Sequence, residues 1–302
     1  MSTPYHVAVI GLGAMGMGAA RSCLRAGLTT YGIDLNEEAR NQLQQAGATA
    51  VMADARPLAE TLDAVLLLVV NATQVRRILL GEAGLARHLK PGTAIMVSST
   101  IAAEEASALA AELAQLGLPM LDAPVSGGAI KADAGEMTVM AAGADAAFDK
   151  LAPVLDAVAG KVYRVGSEPG QGSTVKIIHQ LLAGVHIAVA AEAMALASRA
   201  GVSLDLMYDV VTHAAGNSWM FENRMPRVLA GDYQARSAVD IFVKDLTLVA
   251  DTAKALRFPL PLASTALNMF LGASNAGYGQ EDDSAVIKIF SGIQLPGQED
   301  QA

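Results

Sequence analysis

Residues 6–16 read H-V-A-V-I-G-L-G-A-M-G: a short apolar strand, His6–Ile10, then glycines spaced G-x-G-x-x-G, then a helix-forming run over Ala14–Ala26. A strand that turns sharply into a helix is the first half of a β-α-β unit, and such units need a parallel sheet with crossover helices. The chain keeps to that plan. Strands are expected at Thr30–Asp34, Ala64–Val70, Thr93–Ser98, Pro119–Ala123, Glu136–Ala142 and Lys161–Val165, with helices over Glu37–Ala46, Ala103–Leu116 and Ala144–Val158. The run A-V-L-L-L-V-V at 64–70 shows no alternation, as expected of a central strand covered on both faces. The pattern predicts an α/β fold with a Rossmann-type doubly wound sheet.

The alternation stops near Gly166. Gly172–Arg199 reads as one helix of about 28 residues, about 42 Å long. It is apolar nearly all round and is therefore expected to be buried. Helices at Asp205–Ala214, Ile241–Leu256 and Leu262–Ala276 complete an all-α C-terminal domain. The expected division is 1–166, a dinucleotide-binding domain, and 167–302, a helical substrate and oligomerisation domain, with the long helix joining them. Trp219, the only tryptophan, is expected to anchor packing in the helical domain, and the polar tail Gln294–Ala302 is expected to fray.

Composition narrows the partners. A net charge of −9 argues against nucleic acid or an anionic membrane but leaves room for a small anion at a local positive site. The apolar stretch Leu181–Ala197 is interrupted by His186 and Glu192 and is short for a bilayer span. The N-terminus lacks a secretory pattern and enters a strand by about His6. A single cysteine, Cys23, excludes an intramolecular disulfide and is expected as a buried thiol. These features imply a cytoplasmic protein with no membrane partner. No histidine–carboxylate cluster has a familiar metal-ligand spacing.

The glycines gain meaning from their context. Gly11 permits the tight turn, Gly13 lets backbone approach a pyrophosphate, and Gly16 allows close helix–strand packing. Backbone of Leu12, Ala14 and Met15 completes the loop, and the helix N-terminus faces the anion. Asp34 ends the second strand, where a carboxylate accepts from ribose hydroxyls and repels a 2′-phosphate. With no arginine beside it in the sequence, Asp34 favours NAD over NADP. Asn71 and Thr100 stand at other strand ends on the same carboxyl edge, Asn71 beside the expected nicotinamide ribose.

Hydride chemistry on a hydroxyl needs a proton handler. Lys176, in G-Q-G-S-T-V-K-I-I-H-Q at 170–180, stands in the first turns of the long apolar helix. An apolar surface and the positive end of the helix macrodipole both disfavour a charged ammonium, which suits a general base. A lysine that snorkels to water is the bland alternative. Gln180 at i+4 shares the face of Lys176, and His179 adjoins it. His179 and His186 read equally as core histidines or as partners of substrate hydroxyls. Ser126-Gly127-Gly128 follows a strand and a proline, and its open backbone N–H groups suit a carboxylate.

Four stretches carry a resemblance that covers about Tyr5 to Ile289: G-L-G-A-M-G at 11–16, D-A-P-V-S-G-G at 122–128, the lysine stretch at 170–180, and K-D-L at 244–246. The chain resembles the β-hydroxyacid dehydrogenase family, the group of 3-hydroxyisobutyrate dehydrogenase. The resemblance implies NAD-dependent oxidation of a small hydroxy acid in a cleft between the two domains. It implies Lys176 as catalytic acid/base, Ser126, Gly127, Gly128, Thr100 and Gln180 on the substrate, Lys244 reaching toward the cofactor, and Asp245 in support. A surface ion pair is the alternative for Lys244 and Asp245. H-Q-L-L-A-G-V-H-I from His179 is most similar to members that oxidise the 2-hydroxyl of L-threonate. Tartronate semialdehyde reduction, 3-hydroxyisobutyrate oxidation and a non-catalytic NAD-binding sensor are the competing readings. A 6-phosphogluconate dehydrogenase would need a larger helical domain, and imine-reducing relatives generally lack this lysine. The family's habit implies a homodimer or homotetramer.

Overall fold

The computed structural model describes residues 4–296. Contacts divide the chain into two units, Met1–Lys176 and Ile177–Ala302. In the first, nine strands form one sheet: β1 (His6–Ile10), β2 (Thr29–Ile33), β3 (Ala50–Met52), β4 (Ala64–Leu67), β5 (Ala94–Val97), β6 (Met120–Asp122), β7 (Val125–Ser126), β8 (Met137–Ala142) and β9 (Ala159–Gly166). Their order is β3-β2-β1-β4-β5-β6-β8-β7, with β9 also on β8. Helices α1 (Ala14–Arg25), α2 (Glu37–Gln45), α3 (Ala72–Leu80), α4 (Ala103–Gln115), α5 (Gly128–Ala134) and α6 (Asp145–Val158) connect them.

Strand periodicity explains the unbroken apolar runs. Successive side chains point to opposite faces. Val7, Val9 and Leu66 join a core with Ala19, Cys23, Phe148 and Leu151. Ala8, Ile10, Val65 and Leu67 join another with Val75, Leu79 and Leu109. Both faces are dry at the centre of the sheet, so every position of β4 and β5 is apolar and buried. Strand β4 ends at Leu67, earlier than the expected Val70, because the chain leaves the sheet there; Val70 is exposed.

The sheet is mixed at one end. Strands β1 to β6 pair in parallel, but β8 runs antiparallel to both β6 and β7. The chain reverses between β7 and β8 through Gly127 and Gly128, at φ +130° and +70°, conformations that a residue with a Cβ rarely adopts.

Helix α7 (Gln171–Arg199) begins in the first unit and continues into the second, followed by α8 (Leu204–Thr212), α9 (Trp219–Leu229), α10 (Val239–Ala255) and α11 (Pro261–Ala273). The second unit's core gathers Ile187, Ala191 and Met194 of α7 with Phe221, Phe242, Phe270 and Val286. Phe242 and Phe270 stack with centroids 5.2 Å apart.

Three expectations are corrected here. Helix α7 is not buried all round: Val175, Ile178, Leu182, Val189 and Leu196 lie exposed along it, Leu196 at 68%. Their spacing of three, four and seven residues marks one stripe. Trp219 is 49% exposed at the head of α9, and the anchor is Phe221, buried and stacked on Tyr208. The start of the polar tail is tied down, with Leu295 buried and Gln294 bonded through both backbone groups to the Ser198 hydroxyl. The rest of the expected fray, 297–302, lies outside the described residues. By length and composition α7 is, among the described residues, the one helix able to cross a membrane, and 50% of its most apolar window is buried inside the protein.

Candidate active site

The first unit builds a nucleotide cradle at the point where strand order reverses, between β1 and β4. Gly11, at φ +91°, approaches Leu68 so closely that a Cβ would stand 2.7 Å from its carbonyl oxygen. A Cβ on Gly16 would fall 1.7 Å from the Gly11 oxygen, whereas one on Gly13 would meet nothing within 4 Å. Two glycines are thus demanded by packing, and the third faces open space. Gly13 caps α1 without a side-chain hydrogen bond, and the first turn holds no acid. An anion fits these leading N–H groups.

Asp34 is held in place by two backbone donors. Leu12 N–H donates to Oδ2 at 2.6 Å and Asn36 N–H to Oδ1 at 2.8 Å. Leu12 therefore spends its N–H on Asp34, and its side chain is in the core. Met15 packs against that same core, while Ala14 is exposed. A groove of about 420 Å³ runs past Gly11, Gly13 and Asp34 to Gln74. Asn71 caps α3, accepting from Gln74 N–H at 2.9 Å, so its amide nitrogen is the end that can donate to a ligand. Two arginines that do not adjoin Asp34 in the sequence come near it. Arg40 donates to the carbonyls of Asp34 and Leu35, and Arg56 lines the same groove.

The lysine helix is pinned to the sheet by a residue to which the sequence reading gave no role. Asp122, 0% exposed at the end of β6, accepts from Gly170 N–H at 2.7 Å, Ser173 N–H at 2.8 Å and the Ser173 hydroxyl at 2.7 Å. Burial pushes its carboxyl above the ordinary carboxylate range, against the pull of those donors. Asp122 thus supplies the N-terminal cap that α7 lacks in its own sequence. Gly170 and Gly172 permit the approach: a Cβ on Gly172 would sit 2.4 Å from the Asp122 carbonyl oxygen. A long helix opening on glycine, without a local capping side chain, is the one signal that could have pointed to a distant cap.

Lys176 follows Ser173 by three residues and is 6% exposed. Thr100 is half-buried just after Ser98 and Ser99, whose hydroxyls are buried without a hydrogen-bond partner. Ser126 pairs with Thr138 at the sheet's end, and Gly127 and Gly128 follow with their N–H groups in the turn. Thr100, Ser126, Gly127, Gly128 and Lys176 all belong to the first unit.

In the second unit a polar chain starts one turn past Lys176. His179 Nδ1 meets Gln180 Oε1 at 3.0 Å, and Gln180 Nε2 donates to Asp245 Oδ2. With the amide so oriented, His179 donates through Nδ1. Gln180 thus bridges His179 and Asp245. Lys244 Nζ lies 2.6 Å from Asp245 Oδ1, which lacks a directed hydrogen bond, so that contact is ionic. Asp245 is buried, and Lys244 is partly exposed. His186 is half-buried farther along α7. Among the described residues no cluster of His, Cys, Asp or Glu could hold a metal ion.

A nucleotide cradle on a Rossmann sheet, with a buried lysine pinned to the same sheet edge, defines the class: a NAD-dependent hydroxyacid dehydrogenase. Comparison with known proteins agrees. The family described as the NAD binding domain of 6-phosphogluconate dehydrogenase matches residues 6–166, and that described as NAD-binding of NADP-dependent 3-hydroxyisobutyrate dehydrogenase matches 170–290. The chain belongs to the 3-hydroxyisobutyrate dehydrogenase family. It is 73% identical to an L-threonate dehydrogenase of Escherichia coli O6:H1 and 68% identical to one of Haemophilus influenzae, in each case over 97% of both chains. A crystal structure described as 3-hydroxyisobutyrate dehydrogenase from Salmonella typhimurium superposes with a TM-score of 0.92 at 70% identity, covering 95% of this chain and all of that one.

Proposed function

We infer that the protein oxidises the 2-hydroxyl of L-threonate to the ketone, giving 2-dehydro-L-erythronate. When bound, NAD supplies the acceptor for the hydride from C2. The residues of the chain do the rest. Lys176 Nζ, on a residue only 6% exposed, takes the hydroxyl proton. Ser126 and the N–H groups of Gly127 and Gly128 hold the carboxylate, with Thr100 beside them. His179, oriented by Gln180 and Asp245, accepts from a hydroxyl farther along the substrate. Asp34, Asn71 and the Gly11–Gly16 loop hold the cofactor.

One observation carries the substrate: L-threonate dehydrogenases of several bacteria match this chain at 68–73% identity over nearly its whole length. The name of the Salmonella structure supports a second reading, 3-hydroxyisobutyrate. The repeated match to L-threonate dehydrogenases weighs against it. The exposed stripe on α7 supports a homo-oligomer as the working form. The bacterial relatives and the lone buried thiol fit a cytoplasmic location.

The test is NADH formation with L-threonate, D-erythronate, glycerate and 3-hydroxyisobutyrate. L-Threonate is expected to give the highest kcat/KM, and His179→Ala to narrow its lead over 3-hydroxyisobutyrate. Preference for 3-hydroxyisobutyrate by the wild-type protein would overturn the substrate.

A further inference from the structure

The nucleotide groove holds more positive charge than selectivity for NAD suggests. Asp34 closes β2, and its N–H donates to Met52 O at the end of the neighbouring β3. Two residues past Met52, Asp54 and then Arg56 line the same groove as Asp34. A guanidinium there is what a 2′-phosphate would need. Yet Arg56 is occupied. Its Nε donates to Asp54 Oδ2 at 2.7 Å and Nη2 approaches the same oxygen at 2.6 Å, while its backbone N–H donates to Asp54 Oδ1 at 3.0 Å. Arg40, the other nearby cation, is turned onto the carbonyls of Asp34 and Leu35.

We propose that Asp54 is a second specificity residue for the cofactor: by holding Arg56, it withholds from a 2′-phosphate a guanidinium that lines the same groove as Asp34. Asp34 repels the phosphate directly, and Asp54 removes its partner. Selectivity then rests on two carboxylates acting on one phosphate position, and their effects are coupled. The Arg56 guanidinium in turn holds the Asp54 carboxyl below the ordinary carboxylate range, so the pair stays ionised at neutral pH.

The test reads nucleotide binding by calorimetry and needs no hydroxy acid, so it stands or falls separately from the L-threonate reading. The probes are adenosine 5′-monophosphate and adenosine 2′,5′-bisphosphate. Wild type should bind the bisphosphate at least about tenfold more weakly. Asp34→Asn should narrow the gap. Adding Asp54→Ala should tighten bisphosphate binding by about a further tenfold, and the gain should shrink as salt is raised. Placing Arg56→Ala on top should abolish that gain. Melting curves of each variant report folding, and Asp54 and Arg56 are exposed enough that little change is expected. The proposal is overturned if Asp54→Ala adds nothing in the Asp34→Asn background. It is equally overturned if the gain survives Arg56→Ala, which would move the phosphate to exposed Arg77 on the same groove. Failure of wild type to bind either nucleotide would overturn it together with the groove's assignment.

Discussion

The two units solve the burial problem differently. The first covers both faces of a sheet with helices, and its buried acid, Asp122, is satisfied by backbone N–H groups and a serine hydroxyl rather than by a cation. The second is a helical bundle with apolar surface to spare: Ile178, Leu182, Val189, Leu196, Leu206, Val210, Leu256, Phe258 and Leu262 are all exposed. It closes its last turns with buried ion pairs. Arg224 grips Asp283 with two hydrogen bonds, at 2.7 and 2.8 Å, and Arg227 pairs with Asp282. Layering around a sheet disposes of apolar surface within one chain, whereas the bundle leaves a face over and fixes its terminal segment by charge.

The sharpest way to break that contrast is Arg224→Leu. It strands Asp283 in the core, so about 3–5 kcal/mol of stability should be lost. Trp219, the only tryptophan, lies in the second unit, so its fluorescence should report an earlier urea transition. Replacing both partners with apolar residues should recover most of the loss. An unchanged transition for Arg224→Leu would mean that the pair does not close the bundle.

In the first unit the glycines make the corresponding probe. Gly16→Ala forces atoms into the Gly11 carbonyl and should cost about 1–3 kcal/mol. Gly13→Ala meets open space, so its melting temperature should move little while NAD affinity drops about tenfold, measured by calorimetry. A large stability loss at Gly13 would deny that this glycine faces a ligand.

The exposed stripe is tested by Leu182→Glu. Light scattering should show smaller particles, with helix content by circular dichroism unchanged. A monomeric wild type would leave the stripe unexplained by self-assembly.

A pH-dependent probe is Cys23, whose thiol burial pushes up to about 12. A raised acid pKa means stability present below the unfolded thiol value and lost as pH rises toward about 12. Between those limits wild type should lose about 1.4 kcal/mol per pH unit more than Cys23→Ala. At pH 8 the native thiol should resist a disulfide reagent and react once unfolded.

How much was legible follows from the same contrast. Strands β1, β4 and β5 and helices α1, α4 and α6 announce themselves by period and by flanking glycines, because local sequence and final burial agree there. The cradle residues Gly11, Gly13, Gly16 and Asp34 were readable because one turn geometry imposes their spacing. Helix α3 was missed although Asn71 and Gln74 form its cap, because it is only nine residues long and follows directly on the apolar run. The Asp122 cap and the Arg224–Asp283 lock were not readable: their partners stand 48 to 59 residues away, and nothing local marks them. Nor was the outward face of α7. A helix apolar all round has the same sequence whether another helix or another chain covers it.

The central claim is that Lys176, pinned through Asp122 to the sheet that holds the cofactor, moves the hydroxyl proton. The most direct measurement is L-threonate-dependent NADH formation by Lys176→Met beside NAD binding by calorimetry. The account predicts that kcat falls about 1,000-fold while NAD affinity changes by less than about threefold. Activity within tenfold of wild type, with NAD still bound, would contradict it.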